Sequence, residues 1–306
     1  MDYFGIIKRA FQITIKHRFL WVFGFIVALA GGGGGFRSFS YSSDSGQSFA
    51  NVGRWATAYL AVLILIGLIL FLLWLVMWIF SVISQAGLVG SVNKIESNEE
   101  TSLGDGFSIG AHYFWRVLGL SIILGLIILF LVLLILVPVV AAIVVLVSQS
   151  KTAGAGLAVA AIFCLVLAII FVILLLVLFS AFLGVIFIYA LRYIVLKDER
   201  VFASIGEAWR LVRANLSETL VMFLLLLLIS AGVGIVLIIP ALVIGLPAFF
   251  AFLGGITLKN ASLIVVSALG FLFLVLVLSF LGGIFETFHS TVWTLTYLEL
   301  TKSETT

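Results

Sequence analysis

The stretch that decides the fold is "EAWRLVRANLSETL", Glu207 to Leu220, a polar segment between two long apolar blocks. Apolar side chains in and just before it recur at helical spacing: Ile205, Ala208, Trp209, Val212 and Leu216. Its charged side chains fall on the other side of the same helix: Glu207, Arg210 and Arg213. The pattern predicts an amphipathic helix that lies on a membrane surface. Asn215, with Glu218 three residues later, is predicted to cap the next helix.

The composition places the whole chain in a membrane. Of 306 residues, 64% are hydrophobic and only 9% are charged, whereas soluble domains are about 25% charged. No charge occurs between Lys151 and Arg192, a stretch far longer than the roughly 20 residues that cross a bilayer core. The net charge of +3 is too small to indicate nucleic acid as a partner.

Six apolar blocks predict six transmembrane helices: about 19–33, 55–83, 117–147, 156–191, 219–253 and 262–285. The Gly/Ser-rich stretch between the first two is predicted to be a disordered, solvent-exposed loop. With the chain starting inside, twelve lysines and arginines fall on the inner side and four on the outer side, namely Arg37, Arg54, Lys151 and Lys259. This bias predicts cytoplasmic N- and C-termini, and we expect a multi-pass protein of a prokaryotic plasma membrane.

The N-terminal segment admits two interpretations. Basic residues precede an apolar run, and Ala28 to Ala30 followed by glycines imitates a signal-peptidase site. The same segment also matches a later internal unit, which favours its retention. Cleavage of residues 1–30 therefore stays open, with retention preferred.

Internal repeats organise the chain. A shift of 102 lays Phe107 on Trp209 and Pro138 on Pro240, and it aligns two predicted capping boxes, at 102–105 and 204–207. Aligning Phe11 with Phe107 brings in a first unit. The predicted fold is an all-α membrane domain of three parallel helical-hairpin repeats, 1–100, 101–201 and 202–306, each preceded by a short interfacial helix. We expect helix kinks or breaks at both prolines.

Of the other two predicted interfacial helices, the first has a clear amphipathic pattern and the second a weak one. In the first unit the apolar face comprises Tyr3, Ile7, Ala10, Phe11 and Thr14. The polar face opposite it comprises Lys8, Arg9, Gln12 and Lys16. The second copy, near "DGFSIGAHYFW", has a weaker pattern. The second helix of each predicted hairpin, called here the returning helix, is longer than a bilayer requires. We therefore expect these helices to tilt or to project into the cytoplasm against the short helices.

Two segments carry a family resemblance: "LKDERVFASIGEAWRLVRANLSETLVMFLLLLL" and "IIKRAFQITIKHRFLWVFGFIVALAGGGGG". They resemble the glycerophosphoryl diester phosphodiesterase membrane-domain family and its uncharacterised multi-pass relatives. In that family the membrane part can accompany a separate soluble phosphodiesterase domain. No long polar segment of this sequence supplies such a barrel or its metal-binding residues, so the resemblance implies a membrane part without that activity.

Catalytic and metal-binding patterns are missing from the sequence. The three histidines, His17, His112 and His289, have no ligand spacing, and Cys164 is the only cysteine. The glycines at 31–35 lack the lysine of a phosphate-binding loop. We therefore expect a non-catalytic protein without metal or cofactor.

Two classes of function fit these features. The first is a scaffold or lipid-organising module, whose basic residues would contact anionic head groups: Lys8, Arg9, Lys16, Arg18, Arg210 and Arg213. The alternative is a transporter or pore for a small solute or lipid, using the seam between repeats, with Pro138 and Pro240 freeing backbone carbonyls there. A membrane enzyme is the remaining alternative, and the oligomeric state is left open.

One intramembrane carboxylate is a candidate site. Glu286 lies in the apolar run "LGGIFETFHSTVW", with His289 one turn away on the same face. A 98-residue shift of the repeat places Arg192 level with Ser290, about 6 Å along the axis from Glu286. The preferred interpretation is a structural ion pair between Arg192 and Glu286. The alternatives are a proton or substrate site and an unpaired residue at the interface.

Overall fold

The computed structural model of the chain describes residues 1–30, 60–149 and 155–303. Within these ranges every regular element is an α-helix. In chain order the helices are α1 Tyr3–Lys16, α2 Leu20–Leu29, α3 Leu60–Glu96, α4 Leu103–Gln149, α5 Ala155–Lys197, α6 Val201–Ala214, α7 Leu216–Thr257 and α8 Ala261–Ser303. The predicted Gly/Ser-rich loop, with Arg37 and Arg54, lies outside the described residues, as does Lys151.

Five helices, α3, α4, α5, α7 and α8, are long and apolar enough to cross a membrane. This confirms the all-helical prediction for the described residues, and five of the six predicted blocks correspond to helices that could span a membrane. In place of the first predicted span stands α2, whose ten residues are about 15 Å long, half of a bilayer core. Helices α1 and α2 meet at a bend of 97° and could form a sixth span only as a broken pair. The sixth span stays a prediction.

The short helices α1 and α6 occupy the positions predicted for interfacial helices in the first and third repeats. The prediction of a separate interfacial helix in the second repeat is wrong, because α4 runs without interruption from Leu103 to Gln149. Its start carries the predicted cap, with the backbone N–H and the hydroxyl of Ser102 both donating to Asp105 Oδ2, at 2.9 and 2.7 Å. The corresponding cap at Ser204 is wrong, since Ser204 lies inside α6 and donates to the Val201 carbonyl.

Two further local predictions concern the start of α7 and the prolines. Asn215 is the N-cap residue of α7, as predicted, although it makes no side-chain cap bond. Helix α4 continues through Pro138, and α7 continues through Pro240. Neither proline therefore ends a helix, and the kinks stay predictions.

Contacts divide the chain into two units, Met1–Phe114 with Asn215–Thr306, and Trp115–Ala214. In the first unit α8 packs against α1, α2, α3 and α7; in the second, α5 packs against α6. This division groups residues by contact and does not test for internal repeats. The three predicted repeats stay a prediction.

The returning helices are each built in two parts. Helix α3 is exposed from Ile64 to Trp74 and largely buried from Ser81 to Ile95, and α8 is buried at every residue from Thr291 to Tyr297. Within the second unit, α5 is buried throughout Tyr189–Val195. The cores therefore lie at the C-terminal ends of these helices. Helix α8 packs against α1, α3 packs against α2, and α5 packs against α6. Projection beyond the bilayer stays a prediction.

Glycines bring the helices of the first unit into backbone contact. A Cβ added to Gly24 of α2 would meet the carbonyl oxygen of Gly283 in α8, and one added to Gly283 would lie 2.6 Å from the backbone nitrogen of Phe25. At the same crossing the Thr287 hydroxyl donates to the Leu20 carbonyl at 3.1 Å. Small residues let membrane helices approach this closely, and the approach strengthens their dispersion contacts.

We predict that Gly24→Ala and Gly283→Ala each destabilise the protein, because the added methyl group meets backbone that cannot rotate away. Overpacking of this kind costs about 1–3 kcal/mol. Thermal unfolding in detergent, followed by tryptophan fluorescence, measures the loss. The matched control is Gly234→Ala in α7, where nothing lies within 4 Å of the added Cβ. An unfolding midpoint of Gly24→Ala equal to that of the control would contradict the crossing.

Candidate functional site

A cleft of about 860 Å³ opens in the first unit between α1 and the turn that follows α3. Its polar lining comprises Arg9, Gln12, Lys16, His17, Asn98, Glu99, Glu100 and Thr101. Its apolar lining comprises Phe11, Ile13, Ile15 and Ile95. The volume falls in the range of small-molecule sites, and the mixture of charges and apolar groups is typical of them.

The α1 wall of the cleft is fixed at both ends. At its start Asp2 Oδ1 accepts a hydrogen bond from the Gly5 N–H at 2.9 Å, an N-cap that sets the first turn. At its end the indole N–H of Trp21 in α2 donates to the Thr14 carbonyl at 2.8 Å. Between them Ala10 and Ile13 are buried. The helix is therefore held in one rotation, which presents Arg9 and Lys16 at the cleft.

The opposite wall is a short turn held by backbone hydrogen bonds. Asn98 has a φ of 58°, a left-handed conformation that asparagine adopts more readily than most residues. The N–H of Asn98 donates to the Ile95 carbonyl at 3.1 Å, and that of Glu99 donates to the Lys94 carbonyl at 2.9 Å. This turn carries Glu99 and Glu100 along the cleft.

Charges of both signs meet at the cleft. Arg9 Nε lies 3.2 Å from Glu96 Oε2 and joins α1 to the end of α3. Both side chains are partly exposed, so this ion pair contributes little to stability, about 1 kcal/mol at most. Lys16 is a second cation on the α1 wall, and Glu99 and Glu100 are anions on the turn. Burial, and then the charges of Lys16 and Arg9, lower the pKa of His17.

We predict that His17 titrates below its ordinary value of about 6.5. Its imidazole is then neutral at pH 7, because burial and two nearby cations disfavour the protonated form. NMR titration of the ring protons, assigned with His17→Gln, measures the midpoint. Lys16→Gln should raise that midpoint because one of the cations is removed, whereas Lys302→Gln, a neutralised lysine that does not line the cleft, should leave it unchanged. A wild-type midpoint at or above 6.5 would contradict the electrostatics of the cleft.

The predicted apolar face of helix α1 is partly buried and partly exposed. Ala10 and Thr14 of this face are buried, whereas Phe11 is 57% exposed. Phe4, at 78% exposure, and the exposed Ile15 share its side of the helix. The buried face packs on the protein, and the exposed face is left for the surroundings.

Helix α6 has the same construction. Ala208 and Val212 of the predicted apolar stripe are buried, whereas Trp209 is 47% exposed. Phe202, seven residues earlier and therefore on the same side, is 78% exposed. Trp209 also contacts Phe182 edge to face, with ring centroids 5.5 Å apart.

The predicted head-group residues are all exposed: Lys8, Arg9, Lys16, Arg18, Arg210 and Arg213. Arg210 forms a 2.9 Å ion pair with Glu207. Exposure permits contact with lipid, and the contact itself stays a prediction.

The two members of the predicted intramembrane pair belong to different contact units. Arg192, in the second unit, is 2% exposed and donates from Nη1 to the Ile188 carbonyl at 2.6 Å. Glu286 and His289, in the first unit, are half-buried, and His289 Nε2 accepts a hydrogen bond from the Trp293 indole at 3.2 Å. The Arg192–Glu286 ion pair stays a prediction.

We predict that neutralising one member of the pair costs more stability than neutralising both. Arg192→Met or Glu286→Gln alone leaves an uncompensated charge in a low-dielectric site, whereas the double variant removes both charges. Thermal unfolding of the four proteins gives the coupling free energy, and a value near zero would contradict the pair. Arg192→Met with Glu299→Gln is the control combination, and the two changes should be additive.

Long apolar helices identify a multi-pass membrane protein, with its cores at one end of the helices. Among the described residues, no group of three or more His, Cys, Asp or Glu side chains could hold a metal ion.

The chain belongs to a family of unknown function, DUF7544, whose model matches residues 8–305. No curated protein and no solved structure matches it significantly. The family match does not indicate the glycerophosphoryl diester phosphodiesterase membrane domain, so that resemblance stays a hypothesis.

Proposed function

We propose that this protein is a non-catalytic membrane module, a scaffold or lipid-organising protein that binds the head-group layer through α1 and α6. One observation carries the proposal. Each short helix buries one face in its own unit and exposes two aromatic side chains seven residues apart, Phe4 and Phe11 in α1, Phe202 and Trp209 in α6. Aromatic side chains of this kind enter the interface of a bilayer.

The energetics favour interfacial placement of both helices. Burying a phenylalanine side chain gains about 1.5–3 kcal/mol relative to leaving it in water. Lys8 lies between Phe4 and Phe11 on the exposed face of α1, and Arg213 lies on the exposed side of α6. A basic residue near an anionic membrane surface contributes about 1 kcal/mol more. The long helices already hold the chain at the membrane, so the short helices bind without a second loss of translational freedom.

The three-repeat architecture is part of the proposal, and the burial pattern supports it. Under the alignment that joins Phe11, Phe107 and Trp209, two equivalent positions are buried in each of the three predicted repeats. They are Ala10 and Thr14, Gly106 and Gly110, and Ala208 and Val212. The second predicted repeat differs in its aromatic residue, since Phe107 packs on Phe23 with ring centroids 4.8 Å apart. Only the first and third repeats would therefore anchor in the interface.

The orientation completes the proposal. The bias of lysine and arginine supports cytoplasmic termini, and the proposal places the protein in a prokaryotic plasma membrane. The short helices would then face the inner leaflet, whose anionic lipids match their basic residues.

Transport through the seam between repeats is the second candidate function. The buried Arg192 favours it, because charged groups within apolar spans often mark solute or proton pathways. The buried hydroxyls of α8 point the other way, since Thr291 and Thr296 donate to carbonyls one turn back. These threonines serve packing, which makes the lipid-organising role the better supported of the two.

We predict that Arg210→Glu with Arg213→Glu reduces the enrichment of anionic phospholipid around the protein by roughly tenfold or more, because two attractive charges become repulsive. Native mass spectrometry of the protein released from phosphatidylglycerol-containing nanodiscs measures this enrichment. The effect should shrink in high salt.

The matched control is Lys151→Glu with Lys259→Glu, the same change in charge on the predicted outer side. It should leave the enrichment at the inner leaflet unchanged in nanodiscs with asymmetric leaflets. An equal loss in both double variants would contradict the proposal.

A further inference from the structure

We propose that the cleft between α1 and the turn after α3 binds a zwitterionic phospholipid through its phosphoethanolamine head group. The inference rests on the proposed function in one respect, the placement of α1 at the head-group layer. It assigns to the cleft a lipid class different from the anionic lipids that the exposed arginines of α6 would attract.

The distribution of charge selects a zwitterion. The α1 wall carries Lys16, and Arg9 lies beside it in a 3.2 Å ion pair with Glu96. The turn across the cleft carries Glu99 and Glu100. A phosphate alone would be attracted by the cations and repelled by the carboxylates, and an amine alone would be attracted by the carboxylates and repelled by the cations. A ligand with both groups can place each one opposite a wall of opposite charge.

The type of anion on the turn selects the type of amine. A primary ammonium has three N–H donors, and carboxylates such as Glu99 and Glu100 accept strong, charge-assisted hydrogen bonds from them. A trimethylammonium group has no N–H donor, and it is typically recognised by aromatic cages. Among the residues that the structure describes, the cleft is lined by one phenylalanine, Phe11, and one imidazole, His17, and by no tyrosine or tryptophan that could complete a cage. Phosphoethanolamine therefore fits the polar lining better than phosphocholine.

The apolar lining indicates a lipid over a soluble phosphate ester. Phe11 and Ile15 line the cleft and also belong to the exposed apolar face of α1. A head group bound between Lys16 and the turn would leave its acyl chains beside this face, in the bilayer interface. The volume of about 860 Å³ accommodates a small head group with its glycerol.

Binding to the full-length protein in delipidated micelles tests the inference. Short-chain phosphatidylethanolamine, phosphatidylcholine and phosphatidylglycerol are titrated in turn, and native mass spectrometry counts the bound lipid. We expect phosphatidylethanolamine to bind roughly tenfold more tightly than phosphatidylcholine, because its ammonium donates charge-assisted hydrogen bonds that a trimethylammonium cannot make. Equal binding of the three lipids overturns the proposal.

Two variants separate the two halves of the head group. Glu99→Gln with Glu100→Gln should abolish the preference over phosphatidylcholine. Lys16→Gln should weaken both lipids and keep the preference, because both carry the phosphate. The matched control, Glu199→Gln with Glu299→Gln, neutralises two carboxylates that do not line the cleft and should change nothing. Persistence of the preference in the first variant, or its loss in the control, overturns the assignment of the turn.

A soluble competitor separates this inference from the proposed function. Glycerophosphoethanolamine carries the same head group without acyl chains, and we expect it to compete at least tenfold more weakly than the lipid. Equal competition overturns the lipid assignment and the interfacial placement of α1. Loss of phosphatidylethanolamine selectivity, with the charge reversals in α6 still lowering anionic enrichment, overturns the cleft inference alone.

Discussion

The backbone contact between α2 and α8 at Gly24 and Gly283 is the constraint on which the first unit depends. Helices in lipid gain nothing from leaving water, so they associate through close packing and through hydrogen bonds between helices. The glycine pair supplies the first, and the Thr287 hydroxyl supplies the second by bridging to the Leu20 carbonyl. Helix α2 in turn fixes α1, because the Trp21 indole binds the Thr14 carbonyl. A methyl group at the crossing would therefore disturb the cleft that α1 lines, although no cleft residue is changed.

Polarity varies along the long helices more than around them. Their exposed parts are almost purely apolar, as lipid contact requires, whereas the buried parts of α3 and α8 carry serines and threonines. In α8 these hydroxyls return to the carbonyl one turn back, which satisfies them without a partner helix. Small side chains of this kind allow close packing at little cost in buried polarity. The charged residues are thereby concentrated around the compact ends, and the cleft lies at one of them.

The sequence predicted the long helices well because length and hydropathy alone determine them. It left open what covers the apolar faces of the short helices. Periodicity identifies an apolar side chain such as Phe11 or Trp209 without saying whether protein or lipid covers it. The merging of the second interfacial helix into α4 was missed, because Gly106 and Gly110 weaken an isolated helix and become useful only where α3 packs against them. The cleft could not be predicted because its walls are some eighty residues apart; the acidic turn at Glu99 and Glu100 was the available signal.

The turns that follow α3 and α5 use their charged groups differently. Asn98 follows α3 and Asp198 follows α5, 100 residues apart, and both have a φ near 58°. In the second unit Arg116 closes the turn, with Nη1 at 2.9 Å from the Asp198 carbonyl and 2.6 Å from its carboxylate. The first turn is used differently: Arg9 bonds to Glu96 on α3, and the turn's own carboxylates line open space opposite Lys16. One turn is neutralised internally, whereas the other presents separated charges of both signs. That separation favours a ligand whose own charges are separated, which is the property that distinguishes a zwitterionic head group from a simple anion.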